Sequence, residues 1–296
     1  MAAGAAPCST ADVRLRRIVS ALARRSPLRT SPSPLHARSP FTRMRSAQGM
    51  SEEERFAFDL EGYLVVRQVL AAEQVALLAA VARRECTTPI DAPPWRRVFG
   101  PTRWGRPYQD LIDHPRIVPY LVELLGPKFR LDHDYALFMA KGGRGQDLHG
   151  GATDANPDHG YSYRDGVIRC GLTVVSFCLS DAGPGDGGFC CLPGSHKSNL
   201  PRSLPRDVRE FRRIPHYLVQ PQVEAGDAIL FTEALIHGTL PWTAEHQRLA
   251  VLYKYSPGHS AWMSRYHDLA DYPDLTEQQK RILAPPSVGE RPDSLG

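Results

Sequence analysis

Leu172-Thr-Val-Val-Ser-Phe-Cys-Leu179, followed beyond a Gly-rich turn by Gly188-Phe-Cys-Cys-Leu-Pro-Gly-Ser-His-Lys197, is the stretch on which the fold turns. The first run is dense in β-favoured residues and holds neither glycine nor proline. Phe129–Ala140, Leu218–Val223, Ala228–Phe231 and Arg248–Tyr255 share its character, and Gly, Pro, Asn and Asp clusters separate them. Strands at such spacing with no long helix between them predict a sandwich or closed jelly roll. Upstream the pattern differs. A charged turn at Ser51–Arg55 and a Gly62-led strand, Tyr63–Arg67, precede a helix over Ala71–Glu85, where Val75, Leu78 and Ala82 share one face. A second helix, Ile117–Leu125, stops at Gly126-Pro127. The expected class is therefore mainly β with flanking helices.

The chain has 296 residues, 42% of them hydrophobic and 23% charged, which excludes wholesale disorder and fibrous repeats. No apolar run approaches the roughly 18 residues of a membrane-spanning helix. Six cysteines (Cys8, Cys86, Cys170, Cys178, Cys190, Cys191) form no CxxC pair, so reduced thiols are expected, with the Cys190-Cys191 pair filling core on alternate faces. Residues 1–50 carry nine arginines, no lysine and one acid, a charge of +8. Since the whole chain carries +4, residues 51–296 carry −4, which argues against nucleic acid as the body's partner. The leader places Leu15, Ile18, Val19 and Leu22 at helical spacing opposite arginines, the composition of a chloroplast or mitochondrial transit peptide. The alternative is a disordered basic tail on a cytoplasmic protein. Residues 51–296 are expected to form one domain, with a polar, Pro-rich tail over 268–296 packed loosely.

Three residues stand out once the strands are laid down. His149 ends Gly145-Gln-Asp-Leu-His149, His237 follows an apolar strand, and Arg248 begins the next strand eleven residues later. Two histidines from distant strands suit a divalent iron, and a strand-borne guanidinium suits the carboxylate of a bidentate co-substrate. Taken with the PGSHK signature at Pro193–Lys197, residues 60–260 resemble the phytanoyl-CoA dioxygenase family of Fe(II)/2-oxoglutarate oxygenases.

That resemblance implies a double-stranded β-helix, a cupin-like jelly roll whose mouth holds the metal. It implies that His149 and His237 bind Fe(II), that Arg248 pairs with the far carboxylate of 2-oxoglutarate, and that Thr239 lies beside it. It implies dioxygen as a partner and an oxidised C–H of a small organic substrate, through decarboxylation to succinate and ferryl hydrogen abstraction. Specificity is assigned to the Ala152–Arg169 insert, with Tyr161, Tyr163 and Arg164, and to Trp242 after the second histidine. His196 reads as structural, capping backbone groups; His114, His133, His159, His216, His246, His259 and His267 read as surface or packing residues.

The family motif is His-x-Asp, whereas this chain has His149-Gly150-Gly151. Alternate strand residues share a face, so Gly151 takes the carboxylate's place. Three readings stay open. Another acid substitutes: Asp147, on the face of His149 if the strand continues, or Asp154 or Asp158 from the following loop. Alternatively the position takes chloride or water, as in the related halogenases. In the third, the chain is a non-catalytic jelly-roll binding protein.

Overall fold

The computed structural model describes residues 49–86, 94–152, 157–272 and 274–296, so all but Gly49 and Met50 of the leader lies outside it. Ser51 starts a helix, α1 (Glu52–Glu61), where a charged turn was expected. The Ser51 hydroxyl accepts from the Glu54 backbone N–H, and the Glu54 carboxylate accepts from the Ser51 N–H at 2.7 Å. This reciprocal cap was legible as Ser-x-x-Glu. Gly62, at φ 82°, ends the helix in the left-handed region that a Cβ would disfavour. The chain then enters β1 (Tyr63–Val66). Helix α2 (Ala72–Glu85) buries Leu78, Val81 and Ala82, and α3 (Val118–Leu125) ends at Gly126 as expected.

The strands form two opposed antiparallel sheets. The larger joins β1, β2 (Trp95–Phe99), β3 (Arg130–Met139), β7 (Thr173–Cys178), β9 (Ala228–Thr232) and β11 (Arg248–Ser256) in the order β1-β9-β7-β11-β3-β2. The smaller joins β4 (Gln146–His149), β8 (Gly188–Cys191) and β10 (His237–Leu240) in the order β4-β10-β8. A separate hairpin pairs β5 (Tyr161–Arg164) with β6 (Val167–Cys170). The period of two divides each strand. Ala250 and Leu252 of β11 pack with Met139, Phe189 and Phe231 between the sheets, while Val251 and Tyr253 pack outward with Leu78 and Phe177. The architecture is the expected double-stranded β-helix. The five cysteines described are free, and Cys190 and Cys191 enter clusters on opposite faces of β8.

Two further expectations fail. Leu218–Val223 makes only isolated bridges, Val219 to Cys191 and Val223 to Ala182. Pro221 lies between them and has no N–H for a ladder, while the Gln220 amide donates to the Gly183 and Gly187 carbonyls instead. The tail over 268–296 is not loose. Helix α4 (Glu277–Leu283) buries Ile282 and Leu283, and Arg291 is only 4% exposed. Its guanidinium donates to the carbonyls of Lys128, Ala284 and Arg281, so one fork of donors ties the tail to the start of β3.

The PGSHK turn is a clamp on α1. The His196 ring bonds the Asp59 carbonyl at 3.0 Å, Lys197 pairs with the Asp59 carboxylate at 2.8 Å, and the Tyr161 hydroxyl donates to the same carboxylate. Burial lowers the His196 pKa to about 4. An unfolded histidine titrates near 6.5, so the unfolded chain takes up the proton first as pH falls. The clamp's contribution is thus present above about pH 6.5 and lost as pH drops toward 4. Urea unfolding of His196→Gln should show a flatter stability–pH curve across that window than the parent protein.

Candidate metal centre

The smaller sheet brings both predicted histidines together. His149 ends β4 and pairs with His237, the first residue of β10; their ring centroids are 4.3 Å apart. Each Nδ1 lies 2.8 Å from a backbone carbonyl two residues earlier, Asp147 for His149 and Leu235 for His237. A ring nitrogen facing a carbonyl must donate its proton, so each Nε2 keeps an unprotonated lone pair of the kind a metal takes. Burial, with the His149 ring adding to it, lowers the His237 pKa to about 3, and burial lowers that of His149. Both imidazoles are neutral at pH 7, as metal ligation requires.

The third donor is Glu233, which the sequence reading did not single out. It follows β9 and is 4% exposed. One carboxylate oxygen lies 2.5 Å from the Lys254 ammonium on β11; the other lies 3.8 Å from His237 Nε2. Burial opposes its ionisation, but Lys254 and the two imidazoles prevail and hold the carboxyl well below the ordinary range. Burial likewise opposes the Lys254 charge and Glu233 overcomes it, so that pKa is raised. Ligand atoms of His149, Glu233 and His237 all lie within 4.8 Å of one another. Two neutral imidazoles and one carboxylate are the donor set of non-haem iron(II) oxygenases, so these residues fit that metal.

The expected substitutes lie elsewhere. Between the pairs His237–His149 and Thr239–Gln146, β4 carries one more residue than β10. That bulge breaks the alternation, so Gln146 rather than Asp147 shares the His149 face, its amide 3.4 Å from His149 Nε2. Asp147 is exposed. Asp154 lies outside the described residues, and Asp158 accepts from Ser260. Gly151 does not occupy a carboxylate position either. Its φ is 99°, and a Cβ there would sit 2.8 Å from Pro201 and 3.2 Å from Ile236, which packs on the outer face of the small sheet. Gly151→Asp should therefore cost about 1–3 kcal/mol of stability without tightening metal binding, measurable by thermal unfolding beside calorimetric metal titration.

Arg248 begins β11 on the inward face shared by Ala250 and Lys254. It is 6% exposed, its Nη1 faces the Met139 sulfur at 3.4 Å, and no carboxylate pairs with it among the described residues. Gly188 leaves room for it: a Cβ there would lie 3.0 Å from Arg248 Nε. Burial pulls the guanidinium below its ordinary pKa, a cost that an anionic ligand offsets. Thr239 sits on β10 between Phe189 and Gln146.

A cavity of about 700 Å³, lined by Trp95, Arg144, Gln146 and His149 among others, opens beside the cluster. None of the four residues assigned to substrate lines it. Tyr161 belongs to the α1 clamp, Trp242 is fully buried with its indole N–H on the His246 carbonyl, and Tyr163 and Arg164 are exposed on β5. Specificity was assigned to the Ala152–Arg169 insert, whose strands β5 and β6 pair with each other. No helix among the described residues is long and apolar enough to cross a membrane.

Residues 58–250 match the family model described as phytanoyl-CoA dioxygenase (PhyH). No curated protein matches the sequence. Among solved structures, apo HygX from Streptomyces hygroscopicus is 26% identical, with a TM-score of 0.61 over 72% of this chain and 89% of that one. HygX with nickel, 2-oxoglutarate and hygromycin B bound is 25% identical, with a TM-score of 0.62 over 83% and 98%. Apo EctD from S. alaskensis, at 22% identity and a TM-score of 0.55 over 71% and 78%, shares the fold.

Proposed function

Because the chain belongs to the phytanoyl-CoA dioxygenase family, we propose that it is an Fe(II)/2-oxoglutarate-dependent hydroxylase acting on an unactivated C–H of a small organic substrate. One observation carries the reading: a buried imidazole–imidazole–carboxylate cluster shares its β-roll with a buried arginine that has no carboxylate partner among the described residues. His149, Glu233 and His237 would hold the iron. Arg248 would take the far carboxylate of 2-oxoglutarate, with Thr239 beside it. Bound iron and 2-oxoglutarate supply the oxidising power, with dioxygen consumed and succinate and carbon dioxide released.

The chain's own residues bind, orient and shield. The Asp147 and Leu235 carbonyls fix the two rings, and Phe231, whose ring centroid is 4.7 Å from that of His237, walls the site from water. Lys254 occupies one oxygen of Glu233 and leaves the other for the metal. That small molecules are the substrate class is supported by HygX, whose structure holds hygromycin B. Hydroxylation is favoured over halogenation because a halide needs the carboxylate position vacant, and Glu233 fills it; chloride has no support in this donor set.

Anaerobic Fe(II) plus 2-oxoglutarate should produce a weak visible metal-to-ligand band in the parent protein that disappears in His237→Ala. Added chloride or bromide should not shift it. A parent protein with no band returns the chain to a non-catalytic jelly roll, and a halide-dependent shift restores the halogenase.

A further inference from the structure

We propose that β2, the edge strand of the large sheet, carries an anion subsite built from Trp95 and Arg97 that grips a carboxylate of the primary substrate beside the metal centre. Its placement rests on the oxygenase reading; the donors themselves do not. Trp95 and Arg97 are two residues apart and share one face of β2, the Arg97 guanidinium carbon lying 5.6 Å from the Trp95 ring centroid and 4.5 Å from that of Tyr135. Arg97 Nη2 donates to the Gln146 side-chain oxygen Oε1 at 2.8 Å, linking the edge strands of the two sheets. The Gln146 amide nitrogen is in turn 3.4 Å from His149 Nε2. The guanidinium is thus anchored one side chain away from a metal-centre histidine.

Two buried donor atoms are left without an acceptor. Arg97 Nε and Trp95 Nε1 are both buried and have no hydrogen-bond partner. A buried donor without an acceptor carries a desolvation cost that a ligand oxygen relieves. Trp95 lines the cavity of about 700 Å³ that also reaches His149, and Arg144 adds a further cation to its wall. Asp147, which lines it too, is solvent-exposed. No carboxylate pairs with Arg97 among the described residues. A carboxylate brings two oxygens for two N–H donors and the charge that a guanidinium lacks here; an amide brings one oxygen and no charge.

The co-substrate's far carboxylate is provided for elsewhere. Arg248 pairs in register with Met139 from one side of β3, and Arg97 pairs with Leu137 from the other, two strand spacings or about 10 Å apart.

The test uses the full chain loaded with nickel and 2-oxoglutarate, so that no turnover occurs. Ligand-observed NMR compares a panel of small carboxylic acids with their primary amides. Acids should bind the parent protein, and the amides about tenfold more weakly or worse. Arg97→Met should weaken the acids by about thirtyfold and Trp95→Phe, which keeps an aromatic ring but loses the N–H with the pyrrole ring that carries it, by about fivefold. Arg97→Lys should restore part of the acid preference, which a purely structural role would not produce. Throughout, the calorimetric Kd for 2-oxoglutarate should stay within about twofold of the parent. The proposal is overturned by a parent protein that binds no acid or binds acids and amides alike, by variants that bind acids normally, or by a parallel loss of 2-oxoglutarate affinity, which would assign the donors to the co-substrate. A parent protein that binds acids at this wall but no 2-oxoglutarate sinks the oxygenase reading and leaves the subsite standing.

Discussion

Alanine at Glu233 should lower iron(II) affinity more than about a hundredfold and abolish 2-oxoglutarate turnover, because it removes the single anionic donor from the His149–Glu233–His237 cluster. It should also do a second kind of damage. Lys254 is paired to Glu233 at 2.5 Å with both side chains nearly excluded from solvent, so the variant strands a buried ammonium. Breaking such a pair costs about 3–5 kcal/mol, whereas removing both charges is often neutral. The double variant Glu233→Ala, Lys254→Met should therefore recover most of the lost melting temperature and none of the metal affinity. Calorimetric iron titration under argon, beside thermal unfolding, separates the two effects. Full metal affinity in Glu233→Ala would falsify the ligand assignment, whatever the stability result.

Methionine at Arg248 should show the opposite pattern. The guanidinium is buried against the Met139 sulfur without a carboxylate partner among the described residues, so its removal should leave stability unchanged or improved. Metal binding should persist, since Arg248 is not in the cluster. The Kd for 2-oxoglutarate should rise about a hundredfold, the cost of losing one partner of a desolvated charge pair. Lysine there should rescue little, because a single ammonium cannot present two parallel N–H bonds to a carboxylate. An Arg248→Met protein that binds 2-oxoglutarate as tightly as the parent places the co-substrate elsewhere in the roll.

Glu233, the third member of the cluster, shows why part of this site escaped sequence reasoning. The Glu233-x-x-x-His237 spacing was present in the same segment that yielded His237, but an i, i+4 spacing signals a shared face only inside one regular element, and the residues between these two belong to neither a strand nor a helix. Thr232, Glu233, Ala234 and Leu235 form the corner between β9 and β10, closed by the Leu235 N–H on the Thr232 carbonyl at 2.9 Å. Strand alternation pointed instead to Asp147, and it failed at the one extra residue of β4. Trp95 and Arg97 escaped for a related reason. Trp95-Arg-Arg-Val-Phe99 carries no motif and was not singled out, and only the meeting of two edge strands sets the Arg97 guanidinium beside Gln146.

From the chain alone came the succession of helices followed by strands and a sandwich or closed roll. These depend on local composition and on periodicity, which act over a few residues and can be read in one dimension. The resemblance to a family singled out the two histidines, the strand-borne arginine and the PGSHK turn. Only the folded molecule decided which carboxylate lies beside the histidines, that the tail is tied down by Arg291, and that the Tyr161 hydroxyl meets Asp59 of α1. Those outcomes depend on bulges, corners and contacts between residues more than a hundred positions apart, where the chain's path in space, not its local pattern, sets which side chains meet.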